Sequence, residues 1–218
     1  MQTTARIDAE LFRIDNNGRQ SWGANQIWLP TEFKRRAGCG PTVGAHLMWY
    51  LARTQQGMAR LCPYDAHTRA GAVELMLEMW EYITPGRRGV NSPDLFFNGA
   101  MRYAGDRCVP LTYTCLEIAP IHCKRPTPQE VCAFLGAALE GGLPVAFLNL
   151  SNGALTNLDN WHWVTVIAVD AAARTGTIID QSKLFDINLD LWVRSTLAGG
   201  AFVTLERAEW FSHFVPAR

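Results

Sequence analysis

Arg35-Arg36-Ala37-Gly38-Cys39-Gly40-Pro41-Thr42-Val43-Gly44-Ala45-His46-Leu47-Met48 sets one cysteine between two glycines, with a proline two residues on and helically spaced apolar residues after it. Pro41 suits the first turn of a helix, where a missing N–H costs nothing. The spacing therefore puts Cys39 at or just before a helix N-terminus. There the free backbone N–H groups and the dipole favour a thiolate, the nucleophilic form of the side chain. The flanking Gly38 and Gly40 leave room around the sulfur for a substrate. A small buried cysteine at a helix start accounts for the same residues equally well.

Two further stretches change that balance. Asn160-Trp161-His162-Trp163-Val164-Thr165-Val166-Ile167-Ala168-Val169-Asp170 opens a β-branched apolar run with a histidine, which places His162 at the mouth of a buried strand. Thr177-Ile178-Ile179-Asp180-Gln181 is a short apolar strand ending in a carboxylate. Either histidine or aspartate alone reads as structural. Together with the cysteine they supply a nucleophile, a base and a group to orient the base, in the chain order Cys39, His162, Asp180. His46, two helical turns beyond Cys39, is too far along the helix to be the base and reads as structural or surface.

Composition bounds the answer. The 218 residues are 48% hydrophobic and 18% charged with zero formal net charge, which describes a globular chain with ample material for a core. No basic stripe suggests nucleic acid and no charge run suggests a membrane surface. Met1 to Ile14 has no apolar signal core, and no stretch reaches the ~18 apolar residues of a spanning helix. Cysteines 39, 62, 108, 115, 123 and 132 lack the close pairing of a zinc site, and Cys108, Cys115, His122 and Cys123 do not have ligand spacing. Without a signal peptide they read as reduced cytoplasmic thiols. No cofactor and no metal are expected.

Along the chain, residues 1–24 read as a loose lead-in with a turn at Asn16-Asn17-Gly18. Asn25 and Gln26 are amides shortly before the cysteine, and either can donate a side-chain N–H to an oxyanion hole. A helix from Pro41 to about Thr54 carries a stripe of Val43, Leu47, Tyr50 and Leu51. A second, about 69–83, is capped by Asp65 or Thr68. A third follows Ser92-Pro93 to about Ala104. Thr127-Pro128-Gln129-Glu130 is a capping box for a helix ending at Gly141-Gly142. Strands are expected at 109–118, 143–150, 163–169, 177–180 and 200–205, with a mixed segment at 183–198. The fold class is α+β, with helices over about 39–104 followed by a mostly antiparallel sheet with one helix.

The third member of the set is open on register alone. A symmetric hairpin centred on residue 173 places residue 184 opposite His162, so Asp180 falls short of that position and Asp186 beyond it. Asp180 is preferred because it closes a clean apolar run, whereas Asp186 lies among Asn188 and Asp190. A bulge beside the site would bring the former into place.

With Gly38-Cys39-Gly40-Pro41-Thr42, His162-Trp163-Val164-Thr165-Val166 and Ile178-Ile179-Asp180 in this order, the chain resembles the papain-like cysteine peptidases. Its nearest look is the branch of bacterial peptidases that trim double-glycine leader peptides. The resemblance spans about residues 25–205. It implies a single papain-like catalytic domain over 1–218, with a helical lobe at about 25–105 and a β-sheet lobe at about 106–218. It implies Cys39 as nucleophile, His162 as base and later acid, and Asp180 as the group holding the imidazole. A glutamine would complete the oxyanion hole with the Cys39 backbone N–H. The family places that glutamine about six residues before the cysteine, where this chain has Phe33; Gln26, thirteen residues before, is the candidate here. Gln181-Ser182-Lys183 stands where papain itself has a tryptophan. The expected reaction is hydrolysis of a peptide or amide bond through an acyl-enzyme. Acyl transfer or transpeptidation by the same three residues, or an inactive papain-like binding module, are the alternatives. Oligomeric state is not encoded in any of these features.

Overall fold

The computed structural model describes residues 4–208. In chain order it comprises β1 (Thr4–Arg6), β2 (Arg13–Asn16), β3 (Arg19–Trp22), α1 (Glu32–Ala37), α2 (Cys39–Thr54), α3 (Arg69–Tyr82), α4 (Pro93–Asp106) and β4 (Leu111–Ile118). It continues with α5 (Pro128–Glu140), β5 (Val145–Asn149), β6 (His162–Asp170), β7 (Thr175–Asp180), β8 (Lys183–Asn188), α6 (Leu189–Ser195) and β9 (Gly200–Arg207). The class is α+β. The main sheet runs β4-β9-β5-β6-β7-β8, with β1 added to β6, and every pairing in it is antiparallel.

Local signals place the helix starts. Thr68, Ser92 and Thr127 each accept a backbone N–H three residues on, at Gly71, Leu95 and Glu130, and the Glu130 carboxylate returns to the Thr127 N–H. These side chains satisfy N–H groups that a helix leaves unpaired at its first turn.

The lead-in is not loose. Residues 4–6 form a strand paired to β6, with Thr4 across from Asp170 and Arg6 across from Ala168. Residues 13–22 form a hairpin whose tip, Asn17-Gly18, has φ of 56° and 81°, the conformation that a two-residue turn between twisted strands requires. The apolar residues that anchor this region, Ala5, Ile7, Phe12 and Ile14, are buried but scattered among polar and charged residues, so no run of them stands out in the sequence.

Helix α2 is the hub. Instead of a single stripe, every residue from Cys39 to Leu51 is buried. It packs on α3, α4, β5 and β6 as well as on the segment around Phe12, whose ring stacks on Tyr50. A helix covered on all sides is held in place from all sides, which fixes its N-terminus and hence Cys39. The glycines beside the cysteine serve packing, not open space for substrate. A Cβ on Gly40 would stand 2.7 Å from Val90, and one on Gly38 would stand 2.5 Å from both Leu29 and the Lys34 carbonyl oxygen. The short α1, which the sequence reading leaves out, runs into α2 through Gly38.

Strands β6 and β7 set the other half. Thr165 pairs with Ile179 and Val166 with Ile178, then the register slips so that Ala168 pairs with Thr177 and Asp170 with Thr175. The slip is a bulge at Ile167, one extra residue on β6. The turn is also tighter than a hairpin centred on residue 173, because the Asp170 carboxylate accepts the N–H groups of Ala172 and Ala173 and the next strand begins at Thr175. Both effects pull the chain the same way. Continuing the pairing from Thr165 and Ile179 puts Asp180 across from Val164 and residue 182, not 184, across from His162.

Candidate active site

His162 is the first residue of β6 and Asp180 the last of β7, so the antiparallel pairing leaves them at the same end of the sheet. Asp180 is the diagonal neighbour of the histidine, within reach of a long side chain. The His162 Nε2–H donates to Asp180 Oδ1 at 2.7 Å, and both side chains are about nine-tenths buried. Asp186, on β8 opposite Thr177, accepts the Thr177 hydroxyl at 2.6 Å and does not reach the imidazole.

Cys39 heads α2, with Gly38 as the residue before it and no side chain capping the first turn. Its side chain and that of Asp180, the partner of His162, border one small recess. With Nε2 committed to Asp180, Nδ1 is the nitrogen left for another partner. Burial by itself would push the His162 imidazolium down. The hydrogen bonds to Asp180 and Cys39 and their negative charges outweigh it and hold the group up, at about 10.

Gln26 lies in a short 3-10 turn capped by Asn25, whose Oδ1 accepts the Ile27 N–H. Gln26 borders a small recess shared with Cys39 and Asp180, and its Nε2 donates to the Arg35 carbonyl at 2.8 Å. A primary amide has two N–H groups; one fixes the side chain against α1 and the second has no partner among the described residues. Asn25 uses its Oδ1 for capping, and it does not border that recess.

Backbone strain flanks both members of the histidine pair. Trp161, immediately before His162, has φ of 55°, and Gln181 and Ser182, immediately after Asp180, have φ of 47° and 65°. Gln181-Ser182 form a two-residue turn closed by the Asp180–Lys183 pair, a place where Asn-Gly is usual. Left-handed backbone is costly for branched or bulky side chains, and it persists where surroundings enforce it. Here the Ser182 carbonyl accepts the Trp22 N–H, which ties the turn to the N-terminal hairpin.

His46, read from the sequence as structural or surface, is buried. It lines the same recess, and its Nε2 accepts the Ala24 N–H at 2.7 Å. The tautomer follows: Nδ1 carries the proton and donates to Thr165 Oγ1 at 2.9 Å. One ring thus joins the helix of Cys39, the strand of His162 and the segment leading to Gln26. Burial pushes its imidazolium down to about 4, so the ring is neutral near pH 7. No local pattern signals this, because Ala24 and Thr165 lie 22 and 119 residues from His46 along the chain.

In front of Cys39 opens a cleft of about 790 Å³ bordered by Phe33, Arg36, Arg87, Arg88 and Trp161 among others. Phe33 and Trp161 are 55% and 52% exposed, high for large rings. Among the described residues no helix is long and apolar enough to cross a membrane, and no group of three or more His, Cys, Asp or Glu is placed to hold a metal ion.

No family model matches this chain, and no curated protein matches it. Among solved structures, the Pseudomonas avirulence protein AvrPphB aligns at 10% identity and a TM-score of 0.38, over 82% of this chain and 96% of its own. Xylellain, a cysteine protease from Xylella fastidiosa, aligns at 12% identity and a TM-score of 0.38, over 96% of this chain and 87% of its own.

Proposed function

We propose that this chain is a papain-like thiol hydrolase that cleaves a peptide or amide bond through Cys39, His162 and Asp180. The observation that carries the reading is the buried imidazole of His162 held by Asp180, which lines one recess with Cys39, while Cys39 also borders an open cleft. On this reading residues 1–218 are one catalytic domain, with the helical lobe of about 25–105 carrying the nucleophile and the sheet lobe of about 106–218 carrying the base.

The chemistry follows from the atoms present. The Cys39 thiolate attacks the substrate carbonyl carbon, and the carbonyl oxygen takes the negative charge. The Cys39 backbone N–H and the second Gln26 N–H are the donors for that oxyanion; one such donor is worth about 100- to 1000-fold in rate. The His162 imidazolium gives its Nδ1 proton to the leaving nitrogen, the C–N bond breaks, and a thioester remains on Cys39. The neutral imidazole then takes a proton from water, the hydroxide attacks the thioester, and the C–S bond breaks to release the acid. Asp180 keeps the ring in the orientation and tautomer that both steps need.

The test is turnover of a fluorogenic peptide library by the full chain, with labelling by an electrophilic thiol probe and peptide mapping. Cys39 should carry the label, and Cys39→Ala and His162→Ala should abolish release of the fluorophore. Cleavage that survives in either variant removes the reading. Products that appear only when an amine is added would move it to acyl transfer.

A further inference from the structure

The cleft in front of Cys39 has one sign of charge. Arg36, Arg87 and Arg88 border it, and no aspartate or glutamate does, in a chain whose 20 basic and 20 acidic residues balance. Most arginines elsewhere are held by the fold, although Arg6, Arg19 and Arg60 also have no partner among the described residues. Arg35 donates to the Leu29 and Pro30 carbonyls, Arg107 pairs with Glu78, and Arg125 donates to four backbone carbonyls. The nearby Glu81 is paired with Lys34 at 3.6 Å. Arg36, Arg87 and Arg88 have no hydrogen-bond or ion-pair partner among the described residues.

Their placement is fixed by the same contacts that build the site. Arg36 lies in the last turn of α1, three residues before Cys39. Arg87 and Arg88 form the tip of a turn whose flanking Gly86 and Gly89 exchange two backbone hydrogen bonds, at 3.1 and 3.0 Å. The next residue, Val90, locks that turn down. Its carbonyl accepts the Trp163 indole N–H at 2.6 Å, and its side chain fills the space over Gly40. The turn is thereby anchored to the neighbour of the nucleophile and to the neighbour of the base. Three unpaired cations around one mouth repel each other, and an anionic ligand relieves that repulsion. A guanidinium fork matches a carboxylate in two parallel hydrogen bonds.

We infer that the cleft selects an acidic peptide, with aspartate or glutamate flanking the scissile bond and held by Arg36, Arg87 and Arg88. The inference rests on the hydrolase reading above and names its substrate class. The exposed rings of Phe33 and Trp161 supply apolar walls for the stems of those side chains.

The experiment compares fluorogenic peptides that differ only in the residues flanking the cleaved bond, carrying glutamate, glutamine, lysine or phosphoserine. The glutamate peptide should exceed the glutamine peptide in kcat/KM by about 10- to 100-fold, as expected for one or two charge-assisted hydrogen bonds. That ratio should shrink in raised salt. In Arg36→Gln and in Arg87→Gln/Arg88→Gln it should fall towards one. Equal rates for glutamate and glutamine, or faster cleavage of the lysine or phosphoserine peptide, would overturn the inference and leave the hydrolase reading standing. A second measurement does not need peptide turnover. The rates of Cys39 alkylation by anionic iodoacetate and neutral iodoacetamide are compared by mass spectrometry. Their ratio should drop when the three arginines are replaced by glutamine, and an unchanged ratio would refute the cationic mouth. If no peptide is cleaved, the hydrolase reading fails, and the acidic-peptide inference fails with it; the alkylation ratio then reports only whether the mouth is cationic.

Discussion

Asp180 binds His162 from a diagonal position: it lies across from Val164, while the residue across from the histidine falls in the turn at Ser182. The bulge at Ile167 and the tight Asp170 turn create that offset, which a symmetric hairpin would not.

The offset separates two carboxylates experimentally. Asp180→Ala should lower turnover by roughly 100- to 10,000-fold, the scale of losing the group that orients a catalytic imidazole. Asp186→Ala, which loses only a surface hydrogen bond to Thr177, should stay within a few-fold of wild type. Peptide turnover is measured beside circular dichroism. A dead Asp186 variant with a working Asp180 variant would reassign the third residue and leave the Cys39–His162 pair intact.

Cys39 should be the most reactive of the six thiols. Burial raises the thiols of Cys62 and Cys132, and that of Cys115 to about 11, which disfavours their thiolates. Cys108 and Cys123 are exposed and are the fair comparators. Limiting iodoacetamide near neutral pH, read by peptide mapping, should mark Cys39 first and should do so more slowly in His162→Ala. Faster marking of Cys108 or Cys123 would contradict the assignment.

Two histidines should bound the pH range of stability from opposite sides. The folded-state value of His46, about 4, lies below the unfolded 6.5. The unfolded chain therefore binds the extra proton, and stability is lost as pH falls from 6.5 through 4. Between pH 6.5 and 5 the loss should be roughly 1–2 kcal/mol from this one group. His162 is raised above 6.5, to about 10, so its contribution is complete below 6.5 and fades as pH rises through 10. Guanidinium unfolding across pH should show a maximum near 6.5. His46→Gln should flatten the acid side, and an acid slope equal to wild type in that variant would rule His46 out as its source.

The turn after Asp180 holds a reserve of stability. Ser182 is left-handed at φ of 65°, and its buried hydroxyl has no partner. Ser182→Gly removes both penalties and keeps the carbonyl that binds Trp22. It should stabilise the fold by about 1 kcal/mol, a rise of roughly 2–4 °C in Tm for a chain of this size. A lower Tm in thermal unfolding would show that the hydroxyl or the side chain makes a stabilising contact.

What the sequence determined by itself is what acts over three or four residues. The capping residues Thr68, Ser92 and Thr127, the turn at Asn17-Gly18, the helix headed by Cys39 and the strands bearing His162 and Asp180 follow from local hydrogen bonding and from the period of the apolar residues. The tertiary structure decided the rest. It chose which carboxylate meets His162, through one extra residue in β6 and one short turn. It drew residues 4–6 into the main sheet and buried His46 between Ala24 and Thr165. It also carried the Arg87-Arg88 turn to the mouth beside Cys39 by way of Val90. Most of these depend on partners from elements far apart in the chain, which meet only in the folded molecule. No short stretch of residues can encode them.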